Sequence, residues 1–238
     1  MNADEIKTNL EKVREEISEA ESHAGRKQGS VKLLAVSKFH PVQSVLDAVS
    51  AGQTMFGENR VQEACAKFTE VYENFPETEL HIIGTLQKNK AGHASKIASC
   101  IESVDRLEII QELEKQCEKA NKMLKILFEY HTGEESKSGF TSFEELEKAL
   151  SYCAEDRTPH IIPAGFMTMA PFTSDEKAIH ASFITLRETA EKLRKEFRSF
   201  TMDELSMGMS GDFRIAIEEG STEVRIGTAI FGEREYTR

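Results

Sequence analysis

The residues able to do chemistry fall at strand ends. Lys38 closes the run Val31-Lys32-Leu33-Leu34-Ala35-Val36-Ser37-Lys38. Its residues 31–36 are mostly branched aliphatics with little polar alternation, the pattern of a strand buried on both faces. Pro41 follows and stops the strand, because it has no backbone N–H to donate. Lys38 is therefore expected at the carboxyl end of a buried strand, where parallel α/β proteins carry their chemistry. Partly dry surroundings disfavour the ammonium form, and the neutral amine is the nucleophile that makes Schiff bases with carbonyl compounds. The plain alternative is a lysine that snorkels to solvent.

A second group lies near the carboxyl end. Residues 205–232 read LSMGMSGDFRIAIEEGSTEVRIGTAIFG. Two strand ends there open into small residues, Ser206 to Gly211 and Gly227-Thr228. Glycines let backbone amides approach a ligand, and hydroxyls add donors, so both segments suit a phosphate. In closed barrels the loops after strands seven and eight often make such a site with a short extra helix, which Ala229 to Phe231 can supply. Ordinary turn chemistry is the alternative for both segments. For Arg225 the alternative is a surface ion pair with a glutamate such as Glu223.

These groups need elements to place them. Residues 4–22 carry Ile6, Leu10, Val13, Ile17 and Ala20 at four-three spacing, which predicts an amphipathic helix. Strands are expected at 31–37, 54–57, 80–84, 100–104, 123–130, 159–167, 203–206 and 223–226, with helices between them. Capping boxes are read at Asp105 with Glu108, Thr141 with Glu144 and Thr173 with Glu176. Strand–helix alternation of this kind predicts an α/β fold, a single (β/α)8 barrel of the TIM type, with an open doubly wound sheet as the alternative. Too little chain follows the eighth strand for a long closing helix, so helix 4–22 is expected to cover the seam. No linker divides residues 1–238, and one domain is expected.

The 238 residues are 39% hydrophobic and 30% charged, with a formal net charge of −11. This balance argues against a broad basic face for nucleic acid or an anionic membrane. Cys65, Cys100, Cys117 and Cys153 are widely spaced, as reduced thiols in a cytosolic protein are, and no metal site is expected. No signal-like start or spanning run is read, so a cytoplasmic location is expected.

Five stretches resemble one family: Val36-Ser37-Lys38, Phe56-Gly57-Glu58-Asn59, residues 81–90, Ser136-Lys137-Ser138-Gly139 and the block at 205–232. They are similar, in order, to the pyridoxal-phosphate homeostasis proteins, single-domain relatives of the alanine racemase barrel. The resemblance implies a fold type III pyridoxal-phosphate protein with pyridoxal 5′-phosphate as cofactor. By resemblance, Lys38 carries the cofactor as a Schiff base. Ser206, Ser210, Gly211, Gly227 and Thr228 hold its phosphate, and Arg225 approaches the pyridine nitrogen. Asn59 lines the cofactor face, with His81 and Met167 packing nearby. Such an arrangement implies buffering or delivery of the cofactor to recipient apo-enzymes by a monomer, without robust turnover. A pyridoxal-phosphate-dependent amino-acid racemase working from the same lysine is the enzyme alternative, and a module for another phosphorylated ligand is a third. The chain departs from the family pattern where Phe39-His40 replace a second lysine and where Tyr130 replaces asparagine. His40 is expected to act as a weak base or to cap the next helix, and Lys137 to be a loop lysine or a second cofactor contact.

Overall fold

A computed structural model describes residues 1–133 and 139–233. The chain opens with α1 (Ala3–His23), which buries Ile6, Leu10, Val13, Ile17 and Ala20 and starts on a capping box between Asn2 and Glu5. Strands and helices then alternate: β1 (Lys32–Val36), α2 (Val42–Ser50), β2 (Met55–Glu58), α3 (Val61–Asn74), β3 (Glu79–Ile82), α4 (Ala91–Ile97), β4 (Cys100–Val104), α5 (Leu107–Ala120) and β5 (Leu124–Glu129). They continue with α6 (Phe143–Tyr152), β6 (Ile161–Met167), α7 (Glu176–Glu196), β7 (Glu204–Ser206), α8 (Phe213–Glu218), β8 (Glu223–Ile226) and α9 (Thr228–Phe231).

The strands close into a barrel in sequence order, every neighbour parallel. β8 meets β1 through Lys32↔Glu223 to Ala35↔Ile226, which removes every free edge. Pro163 sits inside β6 and cannot donate to a ladder; the β5–β6 register shifts between Ile126 and Leu127, beside its partner Ile126. Helix α1 packs against α2, α8 and α9, the elements flanking the β8–β1 seam. Asn9 Nδ2 donates to the Ile230 carbonyl at 3.0 Å, and Arg14 donates to the carbonyls of Ala51 and Gly52.

Alternation by two splits each strand between two environments. Ile82, Ile101, Ile126, Phe128, Val224 and Ile226 face the helices and join the main apolar core. Their neighbours His81, Glu102, Glu129, Glu223 and Arg225 fall on the other face and are buried too. The barrel interior thus holds a buried polar group beside the apolar cluster of Cys100, Leu127 and Met167, while β1 is buried through Leu34, Ala35 and Val36 as residues 31–36 led us to expect.

The expected capping boxes are corrected. Arg106 is the N-cap of α5 and makes no side-chain cap; the Asp105 carboxylate pairs with Arg106 instead. Ser142, one residue after Thr141, caps α6 by accepting from Glu145 N–H. Asp175 caps α7, and Thr173 accepts from the Asp175 amide just outside it. His40 does not cap α2, whose N-cap is Pro41; its ring lies 5.3 Å from that of Phe231.

Candidate functional site

A cleft of about 490 Å3 lies at the carboxyl ends of the strands. Lys38, from the turn after β1, lines it together with Asn59, Ser210, Gly211, Arg225, Gly227 and Thr228. Seven of the residues singled out from sequence thus share one wall system, although Lys38 and Thr228 lie 190 positions apart in the chain. Thr85, Glu129, Met169 and Phe172 complete much of the lining, and Phe172 is fully exposed at the rim.

Two close approaches shape the walls. A Cβ added at Gly84 would stand 2.5 Å from the Asn59 carbonyl oxygen, so a side chain there would push the Asn59 backbone out of place. At Gly227 an added Cβ would meet the Val36 carbonyl oxygen at 3.0 Å, which ties the loop after β8 to the end of β1. Among the described residues the backbone amides of Ser210, Gly211, Gly227 and Thr228 take part in no turn or loop hydrogen bond to another backbone carbonyl. Open amides on two loops suit an anion.

Arg225 stands at the cleft floor. Its Nη1 donates to Ser206 Oγ and its Nη2 to the Thr168 carbonyl, both at 2.7 Å. Two of its five N–H groups are engaged in this way, so others are left for a ligand in the cleft that Arg225 lines. This corrects the alternative of a surface ion pair with Glu223. Both residues are buried, and Arg225 bonds a hydroxyl and a carbonyl.

Ser206, His81 and Met167 are not brought into the cleft lining. Ser206 was expected at the phosphate, yet it is fully buried on β7, with its hydroxyl 2.6 Å from Glu102 Oε2 and 3.0 Å from Glu223 Oε1. The reason is its strand position: Ser206 ends the ladder, whereas Ser210 stands in the loop beyond. His81 lies below as well, with Nδ1 donating to Glu102 Oε1 at 2.7 Å. Met167 belongs to a small apolar cluster with Cys100 and Leu127 inside the barrel. Ser136, Lys137 and Ser138 lie outside the described residues.

Glu102 was missed from sequence and Glu223 was named only as an alternative partner for Arg225, yet the two carry the electrostatics beneath Arg225. Burial pushes the Glu223 carboxyl up, the Glu102 charge pushes it further, and it reaches about 8. Glu102 is also penalised by burial, but the His81 hydrogen bond and the His81 and Arg225 charges hold it below the usual range. Burial disfavours the charged form of His81, but the hydrogen bond to Glu102 and the carboxyls of Glu79 and Glu223, each 3.9 Å away, outweigh that and carry it up to about 10. Near neutral pH, then, Glu102 is the anion between two cations and Glu223 keeps its proton. The serine geometry agrees. Ser206 Oγ has one proton to give and faces two carboxyls, so one of them must donate to it; the shorter contact, 2.6 Å to Glu102 Oε2 against 3.0 Å to Glu223 Oε1, fits a serine that donates to ionised Glu102 and accepts from Glu223. His81, Glu102 and Glu223 bring ligand-type atoms within 4.8 Å of one another, but each already serves this hydrogen-bonded network.

Comparisons with known proteins bear on the family and the fold. Residues 8–235 match the family model described as the N-terminal domain of alanine racemase. The chain is similar to the pyridoxal phosphate homeostasis protein of Vibrio alginolyticus, 41% identical over 237 residues, covering 98% of this chain and 99% of the other. It is also similar to the solved structure of PipY from Synechococcus elongatus with PLP bound, at a TM-score of 0.84 and 32% identity, covering 95% of this chain and 100% of that one. Alanine racemase of Corynebacterium glutamicum shares the fold, at a TM-score of 0.71 and 18% identity; the match covers 98% of this chain and 62% of the racemase chain.

Proposed function

The chain belongs to the pyridoxal phosphate homeostasis proteins, and from that premise we propose that it holds pyridoxal 5′-phosphate covalently through Lys38 and buffers or delivers it inside the cell. One observation carries the assignment of the site: Lys38, the two loops with open amides and Arg225 line the same cleft. When bound, the cofactor supplies an aldehyde that condenses reversibly with amines.

The residues fit that group. Amides from Ser210, Gly211, Gly227 and Thr228, with the Ser210 and Thr228 hydroxyls, satisfy a phosphate without any cationic side chain. Ser206 acts one layer down, where its hydroxyl steadies Arg225 rather than touching the phosphate. Arg225 would face the pyridine nitrogen as a donor that keeps its own proton, since a guanidinium is a donor only. A ring nitrogen left unprotonated withdraws electrons weakly. That suits carriage better than deprotonation of an amino acid. His81 and Met167 contribute by packing beneath the cleft.

Recipient apo-enzymes are the partners this reading implies, with the chain acting as a cytosolic monomer. No helix among the described residues is long and apolar enough to cross a membrane. Borohydride reduction followed by peptide mapping tests the central assignment. The label is expected on Lys38, and Lys38→Ala is expected to lose the visible absorbance while keeping its far-ultraviolet spectrum. Label on another lysine refutes it. Exchange of amino-acid α-protons at rates typical of an enzyme would favour the racemase reading instead.

A further inference from the structure

A second buried cluster lies behind Lys38. The turn carrying the lysine closes from the His40 amide to the Ser37 carbonyl at 3.1 Å, with Phe39 at a φ of 69°. That third position of a turn favours glycine or asparagine, and a phenylalanine there is strained. The strain is held from both sides. The Phe39 amide donates to Glu63 Oε1 at 2.6 Å, and the Arg60 guanidinium sits 5.5 Å from the Phe39 ring centre. On the other side Lys67 Nζ, from α3, donates to the Ser37 carbonyl at 2.9 Å, to Glu58 Oε1 at 2.9 Å and to Glu63 Oε1 at 2.7 Å. The Ser37 hydroxyl donates to the same Glu58 oxygen at 2.7 Å. Lys67, Glu58 and Ser37 are buried, and Glu58 Oε2 has no hydrogen-bond partner among the described residues.

An arrangement that costs a strained residue, a buried ion pair and an orphaned carboxylate oxygen needs a reason beyond packing. The backbone it grips is that of the residues immediately before and after Lys38. We propose that Glu63 and Lys67 are positioning residues for Lys38: they clamp the turn on either side of it and so set the rate at which Nζ takes up the cofactor. The inference rests on the reading of Lys38 as the attachment point. The step concerned is condensation of Nζ with the aldehyde carbon, in which a carbon–nitrogen bond forms and water leaves. A preorganised amine reaches the reacting geometry more often than one on a loose turn.

Glu63→Ala removes the Phe39 anchor while Lys67 keeps Glu58 as its ion-pair partner. In the ligand-free protein, amide exchange at Phe39 and His40 is expected to quicken about tenfold. On adding saturating cofactor, the visible absorbance is expected to appear about tenfold more slowly, equivalent to ~1.4 kcal/mol. Glu63→Gln keeps the acceptor and is expected to restore most of both. Glycine adopts the positive φ without help. In a Phe39→Gly background, therefore, the Glu63→Ala effect on uptake is expected to shrink to about twofold or less. Uptake at the native rate in Glu63→Ala overturns the proposal even if exchange quickens, because the clamp would then be structural only. An undiminished Glu63 effect in the Phe39→Gly background overturns it too. If borohydride labels a residue other than Lys38 in the native protein, the attachment reading itself fails, and the exchange data then report only on the turn.

Discussion

Replacing Glu102 and Glu223 by glutamine, one at a time, separates two carboxyls that look alike in sequence. Glu102 Oε1 lies 2.7 Å from His81 Nδ1, whereas Glu223 Oε2 lies 3.9 Å from it. Glu102→Gln leaves His81 and Arg225 as buried cations, and the remaining carboxyls, Glu223 Oε2 at 3.9 Å from His81 Nδ1 and Glu79 Oε2 at 3.9 Å from its Nε2, are more distant. Breaking a buried pair in this way costs about 3–5 kcal/mol. Glu223→Gln exchanges one neutral donor–acceptor for another, and at neutral pH it is expected to cost about 1 kcal/mol or less. The pH dependence carries the sharper test. Folded Glu223 keeps its proton to about 8, against an ordinary 4.5. Across that window the unfolded chain binds fewer protons, so stability falls as pH rises. From about pH 6 to about pH 9 the Glu223 contribution to that fall is ~3 kcal/mol. His81, raised to about 10, acts in the same direction: its stabilisation is complete below 6.5 and is lost as pH rises through 10. Urea unfolding of the wild type and the two variants at both pH values measures each difference. Glu223→Gln is expected to flatten the pH dependence by about the Glu223 share, ~3 kcal/mol. The double variant is expected to lose more than the sum of the singles, since neither carboxyl can then answer the cations. Equal losses for the two single variants at neutral pH, or an unflattened profile for Glu223→Gln, would refute the assignment of the proton.

Three further outcomes follow from the cleft. Gly84→Ala places a Cβ against the Asn59 backbone and is expected to cost about 1–3 kcal/mol in urea unfolding and to weaken cofactor binding as the wall shifts. Ser210→Ala and Thr228→Ala each remove a hydroxyl from a dianion and are expected to weaken binding by about tenfold or more, read by equilibrium dialysis, with little change in folding. Ser206→Ala is expected to behave differently: it strands Glu102 and Arg225, lowers stability by about 1–3 kcal/mol, and leaves inorganic phosphate competition unchanged.

The barrel was legible because strand and helix periods alternate clearly, and closure through β8 and β1 matches the expected count of strands. The cleft was legible in its loops. Lys38, Ser210, Gly211, Gly227 and Thr228 follow strand ends, and a strand end in a parallel barrel points to the ligand face whatever the side chain is. What failed was depth. Ser206 and Ser210 are both serines in a small-residue stretch, and only the end of β7 decides that one is buried and the other open. Glu102 and Glu223 stand in strands of five and four residues, too short for one or two charged residues to show which face turns inward. The contacts of Lys67 were illegible for another reason: its partners come from β1, β2 and α3, and local spacing reveals only the one to Glu63, four residues away.

Two polar clusters therefore stand under one cleft, and they answer different demands. The cluster under Arg225 is closed and internally paired, so the guanidinium presents a fixed N–H to whatever lies above it. The cluster behind Lys38 leaves strain in the turn and an oxygen without a partner. A phosphate cradle of backbone amides needs neither, because its donors are fixed by the loops themselves. Affinity for the cofactor should then come mainly from the loops, and the rate of covalent capture from the turn. The separation is measurable in Lys38→Ala. If the loops supply most of the binding energy, this variant retains cofactor that dialyses away with inorganic phosphate competition. If the amine supplies it, retention is lost along with the colour, and the division of labour between loop and turn is wrong.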